Sequence, residues 1–180
     1  MILRTELSWN GEPVPPWLVA TVHLAWDGEA LTVTTDAPFH RDTAPPSPAG
    51  STPGLWNYEV VELFVAREAE GGVEYTELEL GPHAHYLLLR FRGVRALLDG
   101  PHEIEVSSTI LAERWSGRAI VPRRLLPMGF PEGCVVNANT IHGQPRHYHT
   151  AARLRSPAPD FHRPHEWLVL SLKTTPRAPG

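Results

Sequence analysis

Apolar side chains recur at every second position along almost the whole chain, in runs too short for anything but strands. WLVATVHLAWDG, EALTVTTDAP, YEVVELFVA, VEYTELELGP, HAHYLLLRFRG, EIEVSSTILAE, WSGRAIVP, CVVNANTIHG and EWLVLSLK all carry the pattern, punctuated by Gly, Pro, Asp or Asn. A period of two sends successive side chains to opposite faces of an extended backbone. Helical spacing is confined to PRRLLPMGF, room for one short turn between Pro122 and Pro127. Parallel strands need long crossover connections, and none is present. About eight to ten short strands, with turns roughly every eight to twelve residues, indicate an all-β chain. The expected fold is an antiparallel two-sheet β-sandwich of jelly-roll-like form. AWDGEAL, EGGVEY and RWSGRA read as hairpin turns.

A chain of 180 residues, 42 % apolar and 20 % charged, fits one soluble domain spanning 1–180. Its 19 prolines and 14 glycines are spread as many turns require. They concentrate at 44–54 (APPSPAGSTPG), read as a long loop, at 156–159, and in a tail, 174–180, expected to fray. A net charge of −4 and the lack of a Lys/Arg stripe remove the electrostatic case for nucleic acid. No run approaches the roughly 18 apolar residues of a membrane span. The first residues, MILRTELSW, hold an acid and no apolar stretch of signal-peptide length. A cytoplasmic location is the expectation. The single cysteine, Cys134, cannot close an intramolecular disulfide and reads as a small buried side chain. Composition leaves the oligomeric state open.

One run breaks the simple pattern. In LWNYEVVELFV, Val61, Leu63 and Val65 share one parity, while Tyr58, Val60 and Phe64 share the other with Glu62. A carboxylate on a covered face must take up a proton or find donors. VEYTELEL puts Tyr75, Glu77 and Glu79 on one parity, so a hairpin across REAEGG would turn their carboxylates to the same surface as Glu62. Two functional readings follow, ligand hydroxyls accepted by carboxylates or a hard-cation site of oxygen ligands. The plain alternative is a solvated face with arginines such as Arg90 and Arg92 opposite the acids. Trp56, six residues before Glu62, would make a sugar platform over the acid, or else a plug in the mouth of the sandwich. Trp9, Trp17, Trp26, Trp115 and Trp167 read as packing residues.

The ten histidines include His142, His162-x-x-His165, and the two i, i+2 pairs His83-x-His85 and His147-x-His149. On a strand each pair would share a face, yet no third ligand follows at metal-site spacing, so these read as surface and loop residues with no metal assigned. GxSxG, HExxH, the P-loop and GxGxxG are all absent, so no catalytic residue is assigned.

LWNYEVVELFV, YTELELGPHAHYLLL, NANTIHG and PDFHRPHEW, taken in order, resemble the family-9 carbohydrate-binding modules and their DOMON-like relatives. The resemblance runs from about residue 17 to 171. DAPFHRD, LWNYEVVE and ELELGPH are also similar to a widely distributed family of uncharacterised sandwich proteins. The modules hold a terminal sugar between two tryptophans with an acid and an asparagine. The resemblance matches Trp56 to the first tryptophan, Glu62 to the acid and Asn139 to the asparagine. Where the second tryptophan stands in the modules, this chain has His142. Related sandwiches also carry structural calcium, which the resemblance brings here as an option; no other cofactor is expected.

These observations lead to the expectation of non-catalytic binding of a small polar molecule or saccharide in a Trp/Glu-lined pocket. Its residues would be Trp56, Glu62, Glu77, Asn139 and His142, with His83 at the rim and Arg41 and Asp42 in a closing loop. The alternatives are a small hydrolase or isomerase using Glu62 and a histidine as acid and base, and a protein-interaction domain. Sequence leaves the ligand unnamed.

Overall fold

The computed structural model describes residues 1–174. In chain order its strands are β1 (Ile2–Arg4), β2 (Leu7–Ser8), β3 (Thr21–Trp26), β4 (Ala30–Pro38), β5 (Gly50–Ser51), β6 (Val60–Ala69) and β7 (Gly72–Leu80). Then come β8 (His85–Arg92), β9 (Leu97–Asp99), β10 (Glu105–Leu111), β11 (Arg114–Pro122), β12 (Val135–His142), β13 (His147–Thr150) and β14 (Leu168–Val169). Single 3-10 turns at Pro16–Leu18, Leu55–Asn57, Arg123–Leu125 and Pro164–Glu166 are the helical content among the described residues.

The strands form two sheets. A five-stranded sheet runs β1-β3-β4-β11-β10, and a larger one β2-β13-β12-β6-β7-β8-β5, with β14 against β12 and β9 against β8. Every strand pair is antiparallel except the short parallel contact of β5 with β8. This is the all-β sandwich that the alternation predicts.

Between the sheets lies the main core. Val61, Leu63 and Val65 of β6, with Leu78, Leu80 and Leu88, meet Val22, Leu24, Val33, Trp115 and Val121 of the smaller sheet. Cys134 belongs to it. The larger sheet is also covered on its outer face. Val60, Phe64, Ala66, Tyr75, Leu87, Phe91 and Ile141 pack there under Leu55, Ala152, Leu154, Phe161 and Trp167. The chain beyond β13 thus returns across the back of the sheet. A strand buried on both faces needs apolar residues at both parities, which explains why LWNYEVVELFV carries apolar side chains on both sides of Glu62.

The structure corrects several sequence expectations. RWSGRA is not a turn, because Ser116 and Gly117 lie inside β11 and the reversal falls at Ala112, with φ 54°. Gly117 serves packing instead, since a Cβ there would stand 2.9 Å from both Thr35 Oγ1 and the Trp115 ring. Trp17 is 72 % exposed on its 3-10 turn and packs in no core. The 44–54 loop contains β5, and of EWLVLSLK only Leu168–Val169 pairs. The tail expectation falls, from residue 175 onward, outside the described residues.

Leu88, fully buried between the sheets, and Leu111, 79 % exposed, separate packing from chemistry. Leu88→Ala is expected to lower unfolding free energy by about 2–5 kcal/mol in urea titrations. Leu111→Ala is expected to change it by less than about 0.5 kcal/mol.

Candidate functional site

Strand register builds the site. Thr150, Asn139, Glu62, Glu79 and Leu87 form one row across β13, β12, β6, β7 and β8 on the outer face. Two residues along, Asn137, Phe64, Glu77 and Leu89 form the next. The β6–β7 hairpin therefore brings together three carboxyl groups, with one oxygen of each within 4.8 Å of the others. Their residues are only 3 % (Glu62), 5 % (Glu77) and 0 % (Glu79) exposed. The arginines proposed to face them lie elsewhere, with Arg92 on Glu74 and Arg90 on Asp99.

Burial penalises the charged form of each acid, and a neighbouring carboxylate adds to the penalty at Glu62 and Glu79. Glu62 is driven well above the usual carboxylate range, first by burial and then by the charge of Glu77. Burial carries Glu77 up to about 7. Glu79 is raised by burial first, then by Glu62 and Glu77. One oxygen of Glu62 and both of Glu79 have no hydrogen-bond partner.

Glu77 faces an oriented imidazole. The Arg95 backbone N–H donates to the Tyr75 hydroxyl at 2.9 Å, so that hydroxyl directs its own proton to His162 Nδ1 at 2.7 Å. The remaining proton of neutral His162 then sits on Nε2, 3.9 Å from a Glu77 oxygen. Burial, then the charge of Arg95, lowers the His162 pKa to about 4. Arg95 itself is paired with Asp160 at 2.7 Å.

Above the acids opens a pocket of about 390 Å³ between the sheet and its covering chain. Glu62 and Glu77 lie on its floor side, Phe64, Phe91, Tyr148 and Phe161 contribute aromatic surface, and Arg95, Asp160 and His162 supply polar groups. Trp56, 45 % exposed, stands on its lining as well. The turn that presents it starts at Gly54, with φ 75°, a left-handed conformation suited to glycine. Arg146 pins this turn by donating to the carbonyls of Trp56 and Tyr58, both at 2.8 Å.

Trp56, Glu62 and Glu77 are thus brought into one pocket. Asn139 sits beside Glu62 without lining the pocket; its Oδ1 accepts the Asn137 amide at 2.8 Å, and its Nδ2 has no partner. Asp42 acts at a distance, accepting the Gly143 N–H at 2.6 Å and lying 3.5 Å from Arg146. Arg41 pairs with Glu113 at 2.7 Å on the surface. His83 packs edge-on against Phe39 at 5.8 Å, away from the pocket. His142 has the opposite parity to Asn139 and faces the sandwich interior. Tyr75, Glu79, Arg95, Asp160 and His162 complete the site; the first two share the parity of Glu77, whereas the others stand in segments without alternation.

His142 belongs to a separate cluster. Its ring stacks on His40 with centroids 3.5 Å apart and lies 4.9 Å from His149 and 5.4 Å from His147. Burial, aided by the neighbouring imidazoles, lowers His142 to about 2 and His149 to about 4.

The fold and site define a class, a carbohydrate-binding-module-like β-sandwich with an acid-floored pocket on its outer face. Among solved structures, a proposed carbohydrate-binding protein from Bacteroides uniformis superimposes with TM-score 0.72 at 15 % identity, over 96 % of this chain and 86 % of that one. A family-9 carbohydrate-binding module from Caldicellulosiruptor kristjanssonii, in complex with cellotriose, gives 0.55 at 12 % identity over 88 % and 76 %. At such identities the likeness is one of fold. No family model matches the chain. It is 34 % identical over 169 residues to the UPF0462 protein C4orf33 homolog of Danio rerio, covering 87 % of this chain and 81 % of that protein. Human UPF0462 protein C4orf33 is 32 % identical over 148 residues, 79 % and 70 % of the two chains. The chain belongs to the UPF0462 family.

The histidines make stability depend on pH. A buried imidazole that stays neutral when folded, but protonates when unfolded, contributes stability that is present above pH 6.5 and lost as pH falls toward its folded pKa. Between pH 6.5 and about 4, wild-type protein is expected to lose about 1–3 kcal/mol relative to His149→Gln, measured by denaturant unfolding at each pH.

Proposed function

We propose that the outer-face pocket binds a small hydroxyl-rich ligand, a mono- or oligosaccharide, without transforming it. The observation that carries this reading is the pairing of a half-exposed indole, Trp56, with buried carboxyl groups, Glu62 and Glu77, in one pocket. An indole face packs against the C–H groups of a sugar ring, while carboxyl oxygens accept its hydroxyl protons. A carboxyl that keeps its proton can also donate, so the floor meets hydroxyls in either sense. The cellotriose-bound module and the Bacteroides uniformis protein, similar in fold, are in line with this reading. No helix among the described residues is long and apolar enough to cross a membrane, and binding in the cytoplasm is part of the proposal.

A second reading, acid–base catalysis, draws on the oriented His162 beside Glu77 rather than on His83 or His142. Glu77, with a pKa near 7, has the proton affinity of a general acid or base at neutral pH. New sugar resonances appearing by NMR during incubation with a bound saccharide would favour it; an unchanged spectrum favours binding alone.

The test is calorimetry against a panel of mono- and oligosaccharides. At least one is expected to bind with a millimolar or lower Kd. Trp56→Ala and Glu62→Gln are each expected to weaken it by about 1–3 kcal/mol, the scale of a lost ring stack or of a buried hydrogen-bonding group left unpaired. Silence from the whole panel at millimolar concentration overturns the saccharide reading.

A further inference from the structure

Three carboxyl groups meet at and just beneath the pocket floor, and among the described residues no lysine or arginine is paired with them. Among the described residues the sole basic side chain within 4 Å of any of them is the neutral His162, whose Nε2 lies 3.9 Å from Glu77. That imidazole already accepts the proton of Tyr75 at 2.7 Å. Arg95 and Arg146 act on the cluster only from a distance, one held by Asp160, the other by two backbone carbonyls. Carboxyl groups so close to one another require protons or a shared positive ion.

Asn139 adds an independent observation. It is fully buried directly across from Glu62, and its Nδ2 finds no acceptor, while Glu62 Oε2 finds no donor and Glu79 has only the Trp56 backbone N–H and the Glu77 carboxyl near it, neither in good hydrogen-bond geometry. Buried groups without partners on both sides of one site call for a ligand that satisfies both, such as an ion with oxygen ligands of its own around it. The spacing agrees. Oxygens bound to Ca²⁺ at about 2.3–2.6 Å lie no more than about 5 Å apart, and the three carboxyl groups offer oxygens within 4.8 Å of one another. The donors are all hard oxygens, which favour calcium, magnesium or manganese over zinc or copper.

We infer that Glu62, Glu77 and Glu79 together hold one divalent cation of calcium size at the base of the pocket. Glu79 grips it from within the sheet, since it does not line the pocket, whereas Glu62 and Glu77 do. The ion's free coordination positions therefore face the cavity, where Ca²⁺, taking six to eight oxygens, has room for water or for paired hydroxyls. Exchange of those waters for sugar hydroxyls rests on the function proposed above; the cation itself does not.

Protein stripped with chelator and returned to metal-free buffer is titrated calorimetrically with CaCl₂, MgCl₂ and MnCl₂, without sugar. One Ca²⁺ per chain is expected, with Mg²⁺ weaker because it demands a tighter octahedron. Glu62→Gln and Glu77→Gln, first checked for native circular dichroism, are each expected to lose about 10–100-fold in affinity, the scale of a disturbed metal shell. Glu79→Gln should lose as much; if it fails to fold, the other two carry the test, with loss of the bound Mn²⁺ signal in electron paramagnetic resonance as a second readout. Absence of Ca²⁺ and Mn²⁺ binding at millimolar concentration, or binding unchanged in the variants, overturns the inference. Sugar titration in chelator separates it from the functional reading. Saccharide binding without any cation binding overturns the cation and leaves the function, and cation binding without any saccharide does the reverse.

Discussion

A carboxylate taken out of water must be neutralised or paired, and the larger sheet of this protein carries three of them side by side. That constraint organises much of what surrounds them. Turned into the core between the sheets, Glu62, Glu77 and Glu79 would meet the apolar side chains of Val22, Leu24, Val33 and Val121, which offer a carboxylate no donor. They point to the outer face, and there the covering chain stops short of them, leaving a cavity instead of a packed layer. Phe64, Tyr75 and Phe91 pack in the second core around the acids, so the polar floor is framed by a rigid apolar surround.

Rigidity extends outward from the floor. Tyr75 reaches both the backbone of Arg95 and the ring of His162, tying the β8–β9 turn to the covering chain. Arg146, anchored beside Asp42, fastens the turn of Trp56. The platform indole, the imidazole and the acids thus come from three stretches of sequence, LWNYEVVELFV, VEYTELEL and PDFHRPHEW, yet each is fixed by backbone hydrogen bonds or by side chains fixed in turn. A site held this way changes little on ligand arrival, which limits the entropy lost on binding. The same arrangement gives the outer-face pocket acid-sensitive walls: His162 must remain neutral to accept from Tyr75, and the carboxyl groups shift in the opposite direction.

Much of the fold was legible because alternation and turn residues are local signals. The parity split of LWNYEVVELFV placed Val61, Leu63 and Val65 in the inter-sheet core and set Glu62 on the other face, and the structure has both. The hairpin across REAEGG followed from two Gly residues between alternating runs and brought Glu62 opposite Glu79. Strands of two to four residues, such as β1, β2 and β5, escaped because alternation needs more residues than that to show. Gly117 misled for a physical reason: it resembles a turn glycine but is small so that Trp115 and Thr35 can approach its backbone. The site was legible only where it lies on strands. His162, Arg95 and Asp160 come from irregular segments whose position depends on how the chain folds back over the sheet, and no local pattern carries that information. His142 was drawn toward the site by its place in a family pattern, yet its parity relative to Asn139 sends it to the opposite face.

The state of the three acids is open to direct observation by ¹³C NMR of the glutamate side-chain carboxyl carbons, titrated from pH 3 to 9 in chelator. Three resonances, assigned through Glu→Gln variants, are expected to titrate above the ordinary 4.5, with Glu77 near 7. Three carboxyl groups that instead ionise together near 4.5, as freely hydrated glutamates do, would contradict the buried floor on which the pocket depends.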